Sequence, residues 1–165
     1  MREILFRGKS TNGIGWIEGS LRITTIQPAD DAPYKQYEIE DTTLGLFPND
    51  FMCGICETVD SETVGQFTGL TDKNGKRIFV GDIVKADNGK QSSISVVKFG
   101  DYCPEMFYKM LDMLCPGKRH LLAFGFYAES IDKHEEMILF QSPCVEVIGN
   151  IHDNPDLLIR YGDKK

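Results

Sequence analysis

The sequence has no long hydrophobic run. Nothing in it approaches the roughly 18 consecutive apolar residues of a membrane-spanning helix, and its start, Met1-Arg2-Glu3-Ile4-Leu5-Phe6-Arg7-Gly8, carries charge where a signal peptide needs an apolar stretch. A cytoplasmic protein is therefore expected, with no membrane partner. Positive charge is also short: 18 Lys and Arg stand against 25 Asp and Glu, giving a net charge of -7 and a pI near 4.9. A polyanion is thus not the default partner. There is no internal repeat, no low-complexity tract and no Gly-x-Ser-x-Gly nucleophile turn. Cysteine is sparse and odd in number (Cys53, Cys56, Cys103, Cys115 and Cys144), so free thiols packed as small apolar side chains are expected rather than disulfides.

What is present is material for a core. A chain of 165 residues with 41% hydrophobic side chains fits one domain or two small lobes and needs no metal or disulfide staple. Turn signals recur at short intervals, above all Asn12-Gly13, Asn74-Gly75 and Asn88-Gly89, whose tolerance of positive φ suits hairpins. Between them lie short β-branched and apolar runs. Residues 4–7 and 14–26 read as the arms of an N-terminal hairpin. Residues 77–80, 83–86 and 94–99 read as a three-strand meander, and 121–128, 137–141 and 145–151 as three further strands. Many short strands without alternating long helices predict a mainly β, antiparallel protein.

Two segments depart from that pattern. Met106, Phe107, Met110, Leu111 and Leu114 recur at helical spacing behind Pro104, which predicts one short helix over about 104–114, closed by Cys115-Pro116-Gly117. Residues 27–49, with Pro28, Pro33 and Pro48, read as loop and connection around a short strand at 37–40. Charge is uneven as well: residues 30–62 hold nine acidic groups and one basic group, whereas 72–98 hold six basic and three acidic. Solvated faces account for this most simply.

Chemical motifs fail one by one. Gly8-Lys9-Ser10 is no phosphate loop, because the glycine such a loop needs five positions earlier is Glu3. Asp72-Lys73-Asn74-Gly75 opens like a calcium loop, but its third ligand position is Lys76 and its twelfth is Ile83, so a tight turn is expected. Cys53-Gly54-Ile55-Cys56 has the spacing of half a zinc site; the pair Cys53 and Cys56 has no second pair to complete it, and no metal or cofactor is expected. Lys73, Lys76, Arg77, Lys85, Lys90 and Lys98, interleaved with Phe67 and Phe79, allow single-stranded nucleic-acid binding as an alternative function.

Three blocks resemble the YopX family of small phage and prophage proteins. They are Met1-Arg2-Glu3-Ile4-Leu5-Phe6-Arg7-Gly8-Lys9, then Val64-Gly65-Gln66-Phe67-Thr68-Gly69-Leu70-Thr71-Asp72-Lys73-Asn74-Gly75-Lys76-Arg77-Ile78-Phe79-Val80-Gly81-Asp82-Ile83-Val84-Lys85, then Glu146-Val147-Ile148-Gly149-Asn150-Ile151-His152-Asp153-Asn154-Pro155-Asp156-Leu157-Leu158. The resemblance implies a small SH3-like antiparallel barrel or roll with an N-terminal β-hairpin extension, and a phage or prophage product acting in a bacterial cell. It carries no catalytic residues with it. The expected organisation is a hairpin lobe over 1–63, the barrel over 64–160 and a disordered tail over 161–165. The expected function is non-enzymatic, through contact with a host or phage protein or through homo-oligomerisation, with Lys73, Lys76, Arg77 and Phe79 as the candidate binding surface.

Overall fold

The computed structural model describes residues 4–29, 31–41, 55–87, 89, 92–102, 113, 123–132, 136–138 and 144–162. The chain is mainly β and divides into two compact units, Met1–Phe67 and Thr68–Lys165.

The first unit contains β1 (Phe6–Lys9), β2 (Trp16–Ile26), β3 (Tyr34–Asp41), β4 (Ile55–Thr58), a 3-10 turn (Ser61–Thr63) and the start of β5 (Gly65–Thr71). Their order is β4-β3-β2-β1-β5, and the registered pairs run antiparallel, with Gly8 opposite Ile17 and Ile39 opposite Glu57. The Asn12-Gly13 turn is where the sequence places it, Gly13 having φ 80°. Period-two alternation puts Ile17, Ile39 and Val59 into one buried cluster, joined by Phe6, Leu21, Tyr37 and Val64. Each fully buried aliphatic side chain contributes about 1.5–3 kcal/mol. The 3-10 turn is tied to β1 by Thr63, whose hydroxyl donates to the Asp60 carbonyl (2.7 Å) and accepts from the Lys9 amide (2.8 Å).

The strand expected at 37–40 is present and longer, taking in 34–36 and 41 of the expected loop, while 42–49 lie outside the described residues. Tyr34–Asp41 is an eight-residue strand between β2 and β4, and its Ile39 is fully buried. Pro28 and Pro33 punctuate the connection before the strand, not the strand itself. The charged residues Glu38 and Glu40 are compatible with a strand because they alternate with Tyr37 and Ile39, and Lys35, in line with Tyr37, is exposed near the strand's start.

The second unit contains the rest of β5, β6 (Arg77–Phe79), β7 (Asp82–Asp87), β8 (Ser92–Tyr102), β9 (Ala123–Ser130), β10 (Glu136–Ile138), β11 (Val145–Asn150) and α1 (Pro155–Gly162). Its five-stranded sheet has the order β10-β9-β8-β7-β11, all antiparallel. Ile78, Val84, Val97 and Val145 form the core, with Leu70, Ala86 and Val147 against it.

The expected three-strand meander is corrected here: β7 pairs with β8, but β6 lies beside β5. The physical reason is the turn between them. The Asp82 carboxylate accepts the Phe79 amide (2.8 Å), and Gly81 has φ 89°. The Gly81 amide donates to Val97 and its carbonyl accepts from Ile151, so its main chain is bonded elsewhere and β6 cannot fold back along β7. Among the described residues the strands form two open sheets and no closed barrel. The outer edge of β11 is met by the 72–76 turn: the Lys73 amide donates to Val145 and the Val147 amide to Asp72.

The helix expected over 104–114 lies outside the described residues except for Met113, which is helical and exposed. The helix that is described, α1, begins with Pro155 in the first turn and is too short to show a clear period in sequence. It takes in Tyr161 and Gly162 of the expected tail; 163–165 lie outside the described residues. No helix among the described residues is long and apolar enough to cross a membrane.

Asn150 organises the entry to α1. Its Oδ1 accepts the amides of His152 (3.0 Å) and Asp153 (2.9 Å), and its own amide donates to Asn154 Oδ1 (3.2 Å). Gly149 leaves room for Asn154: a Cβ there would lie 2.5 Å from Asn154 Oδ1 and 3.1 Å from its Cβ. Gly149→Ala is expected to turn the Asn154 side chain out and cost about 1 kcal/mol, one neutral hydrogen bond. A thermal melt unchanged from wild type would refute this.

Candidate interaction surface

The most specific sequence block builds a turn, not a reactive site. Asp72 is buried, with Oδ1 accepting the amides of Asn74 (2.8 Å) and Lys76 (2.9 Å) and Oδ2 accepting that of Val147 (3.1 Å). Gly75 at φ 81° completes the reversal. Burial pushes the Asp72 carboxyl pKa up, but the three main-chain donors outweigh it and hold the group below the usual aspartate value.

The four residues singled out from sequence do not form one surface. Phe79 is 1% exposed, so its ring belongs to the interior; this corrects its place in the candidate binding surface. It ends a strand whose last two residues, Ile78 and Phe79, are both buried, because this stretch is covered on both sides. Lys76 is exposed and Arg77 half-buried. Lys73 is exposed, and its ammonium pairs with Glu146 at 2.6 Å. That hydrogen bond, against a smaller desolvation effect, raises the Lys73 pKa. Two more lysines of the basic block are partnered in the same way: Lys85 with Asp87 (3.4 Å) and Lys98 with Glu129. Asp87 is held below the usual value first by the Gly89 amide and then by Lys85. Lys90 lies outside the described residues.

Of the Cys53–Cys56 pair, Cys53 is outside the described residues. Cys56 is an exposed free thiol on β4 whose sulfur accepts from Arg22 Nη2 at 2.8 Å, while Arg22 Nε bonds Glu38 at 3.0 Å. Cys144 is likewise exposed and in no disulfide. Among the described residues no group of three or more His, Cys, Asp or Glu side chains is placed to hold a metal ion.

A feature the motif reading passed over is aromatic. Phe99 on β8 lies directly opposite Phe126 on β9, and Phe124 lies two residues from Phe126 on the same face. Phe99 and Phe124 meet edge to face with centroids 5.0 Å apart, and Phe99 and Phe126 are tilted at 4.8 Å. Val97 and Ala128, one pair along on that face, are buried, but the trio runs out of the core: Phe99 is 48% and Phe124 70% exposed. The Phe-Gly-Phe spelling at 124–126 carried a local signal for two rings on one face. Phe99 joins them only through a pairing across a long connection, which local spacing does not encode.

The model of a family described as "YopX protein" matches residues 20–159 of the chain. The crystal structure of protein EF1440 from Enterococcus faecalis is similar at 21% identity with a TM-score of 0.46, covering 96% of this chain and 99% of that one. Among curated proteins none matches.

Proposed function

This chain belongs to the YopX family, and from that premise and its exposed aromatic trio we propose a phage- or prophage-encoded accessory protein that acts in the bacterial cytoplasm by protein contact, without catalysis. Self-association is the form of contact the trio supports best. Three rings edging out of a core, in a chain whose surface is otherwise rich in carboxylates, form a contiguous apolar patch of the size an ordinary monomer carries, and such a patch is often the functional one. At about 200 Å² per ring, the exposed portions sum to roughly 250–300 Å². A stable dimer needs about 800 Å² per partner. A contact limited to the trio is therefore expected to be weak and concentration-dependent.

Sedimentation across micromolar to millimolar protein tests this. The wild type is expected to gain average mass with concentration, and Phe124→Ser to stay monomeric with its fold unchanged, since that ring is mostly in water already. Equal, constant masses for both proteins would overturn the reading. The nucleic-acid alternative has less support, because Lys73, Lys85 and Lys98 each face a carboxylate and Phe79 is buried. An electrophoretic shift of a single strand at low salt would restore it.

A further inference from the structure

The first unit holds a separate opening. A groove of about 330 Å³ is lined by Tyr34, Lys35, Gln36 and Tyr37 on one side and by Thr11, Asn12, Thr58, Val59 and Ser61 on the other. Its origin is a strand that ends early. β4 runs beside β3 only from Asp41 to Glu38, where Thr58 is the last partner. One further bond, from the Val59 amide to the Tyr37 carbonyl, continues the ladder; the chain then turns toward β1, with Ser10 bridging Val59 and the Asp60 amide donating to the Lys9 carbonyl. β3 continues for four more residues, paired on its other side with β2 through Ile26 opposite Tyr34.

Alternation fixes what faces the vacated lane. In an antiparallel strand the N–H and C=O of one residue point to the same side, and successive residues point to opposite sides. Tyr37 faces the β4 side, so Lys35 does too. The main-chain donor and acceptor of Lys35 thus open into the groove, with no strand opposite them among the described residues. The Gln36 side chain is held back against Glu38 (3.0 Å) and Thr58 (3.2 Å), and Asn12 is drawn to Glu57 (3.0 Å). Lys35 is the only charged residue in the lining, which the 54%-exposed Tyr34 also joins.

We propose that this lane accepts an extended peptide segment of a partner protein as an added β-strand, bonded to the main chain of Lys35 and presenting an acidic side chain to its ammonium. Main-chain bonding gives such strand addition its affinity, and side chains flanking the lane give it preference. The surface is distinct from the aromatic trio, so either reading can fail without the other.

The probe is a short alternating Val/Thr peptide with a central Glu, titrated into the full chain and followed by amide NMR shifts. The expected shifts cluster at 34–37 and 58–61, and they persist in Phe124→Ser. N-methylation of the peptide's central amides, or Lys35→Pro in the protein, is expected to weaken binding at least about tenfold. Lys35→Glu keeps the main-chain donor and reverses the preference, from the Glu peptide to one with a central Lys. No binding at millimolar peptide, equal binding of the N-methylated peptide, or shifts elsewhere would each overturn the proposal. Shifts at the same amides on raising the protein concentration alone would also overturn it, assigning the lane to a second copy of the chain.

Discussion

Gly8→Ala is expected to destabilise the first unit by about 2–3 kcal/mol, the upper range for overpacking a core by one methyl group. Gly8 sits in β1 opposite Ile17, and a Cβ there would lie 2.9 Å from both Cβ and Cγ2 of Val59 and 3.1 Å from Ile39 Cδ1. Neither neighbour has an easy retreat. Ile39 is fully buried, and Val59 is β-branched with its amide bonded to Tyr37 and its backbone bridged to Ser10. The backbone of β1 must move instead, against its pairing with β2. The single tryptophan, Trp16, lies opposite Lys9 in the next strand and under the Arg7 guanidinium at 4.6 Å, so its fluorescence reports on this unit. Urea unfolding followed by Trp16 should show a lowered midpoint with an unchanged slope. A midpoint within error of wild type would mean that β1 yields more easily than the packing indicates.

Asp72→Ala is expected to cost the second unit about 3 kcal/mol. Three main-chain amides, those of Asn74, Lys76 and Val147, lose a charged acceptor together. Hydrogen bonds to charged groups are worth about 1.5–3 kcal/mol each, but they share one turn and do not add in full. Asp72→Asn keeps one oxygen for the turn amides and loses the charge, so its cost is intermediate. The pH dependence follows from the depressed carboxyl pKa. Its stabilisation is present in full above the unfolded value of about 4, and is lost as pH falls through the lower folded value. Wild type should therefore lose stability on acidification below about pH 4 more steeply than Asp72→Asn. Identical acid limbs in the two proteins would refute this assignment, whatever the alanine variant does. Amide exchange at Val147 separates the local effect from general loosening, because that amide should lose protection first.

The two variants probe different kinds of sequence information. Asp72-Lys73-Asn74-Gly75 announces a turn by itself: a short acidic side chain that can bond the amides ahead of it, followed by a dipeptide that tolerates positive φ. That the second oxygen of Asp72 would reach Val147, 75 residues away, is not written there. Gly8 gave no turn signal, and its requirement comes wholly from Val59 and Ile39, which the fold brings over it. The same division runs through the candidate surfaces. Phe79 lies next to a basic turn and reads from its neighbours as exposed, yet packing from both sides buries it. Phe99 and Phe124 read as ordinary strand residues, and only the β8–β9 register sets them together in water.

By itself the sequence determined the β class, most of the strands, the glycine turns and the family, because these depend on alternation and on φ preferences that act over a few residues. The tertiary structure alone decided that β6 would leave β7 for β5, that β4 would end short of β3, and which aromatics would meet solvent. Those outcomes depend on long-range pairing, whose energies come from surfaces that do not exist until the chain has folded.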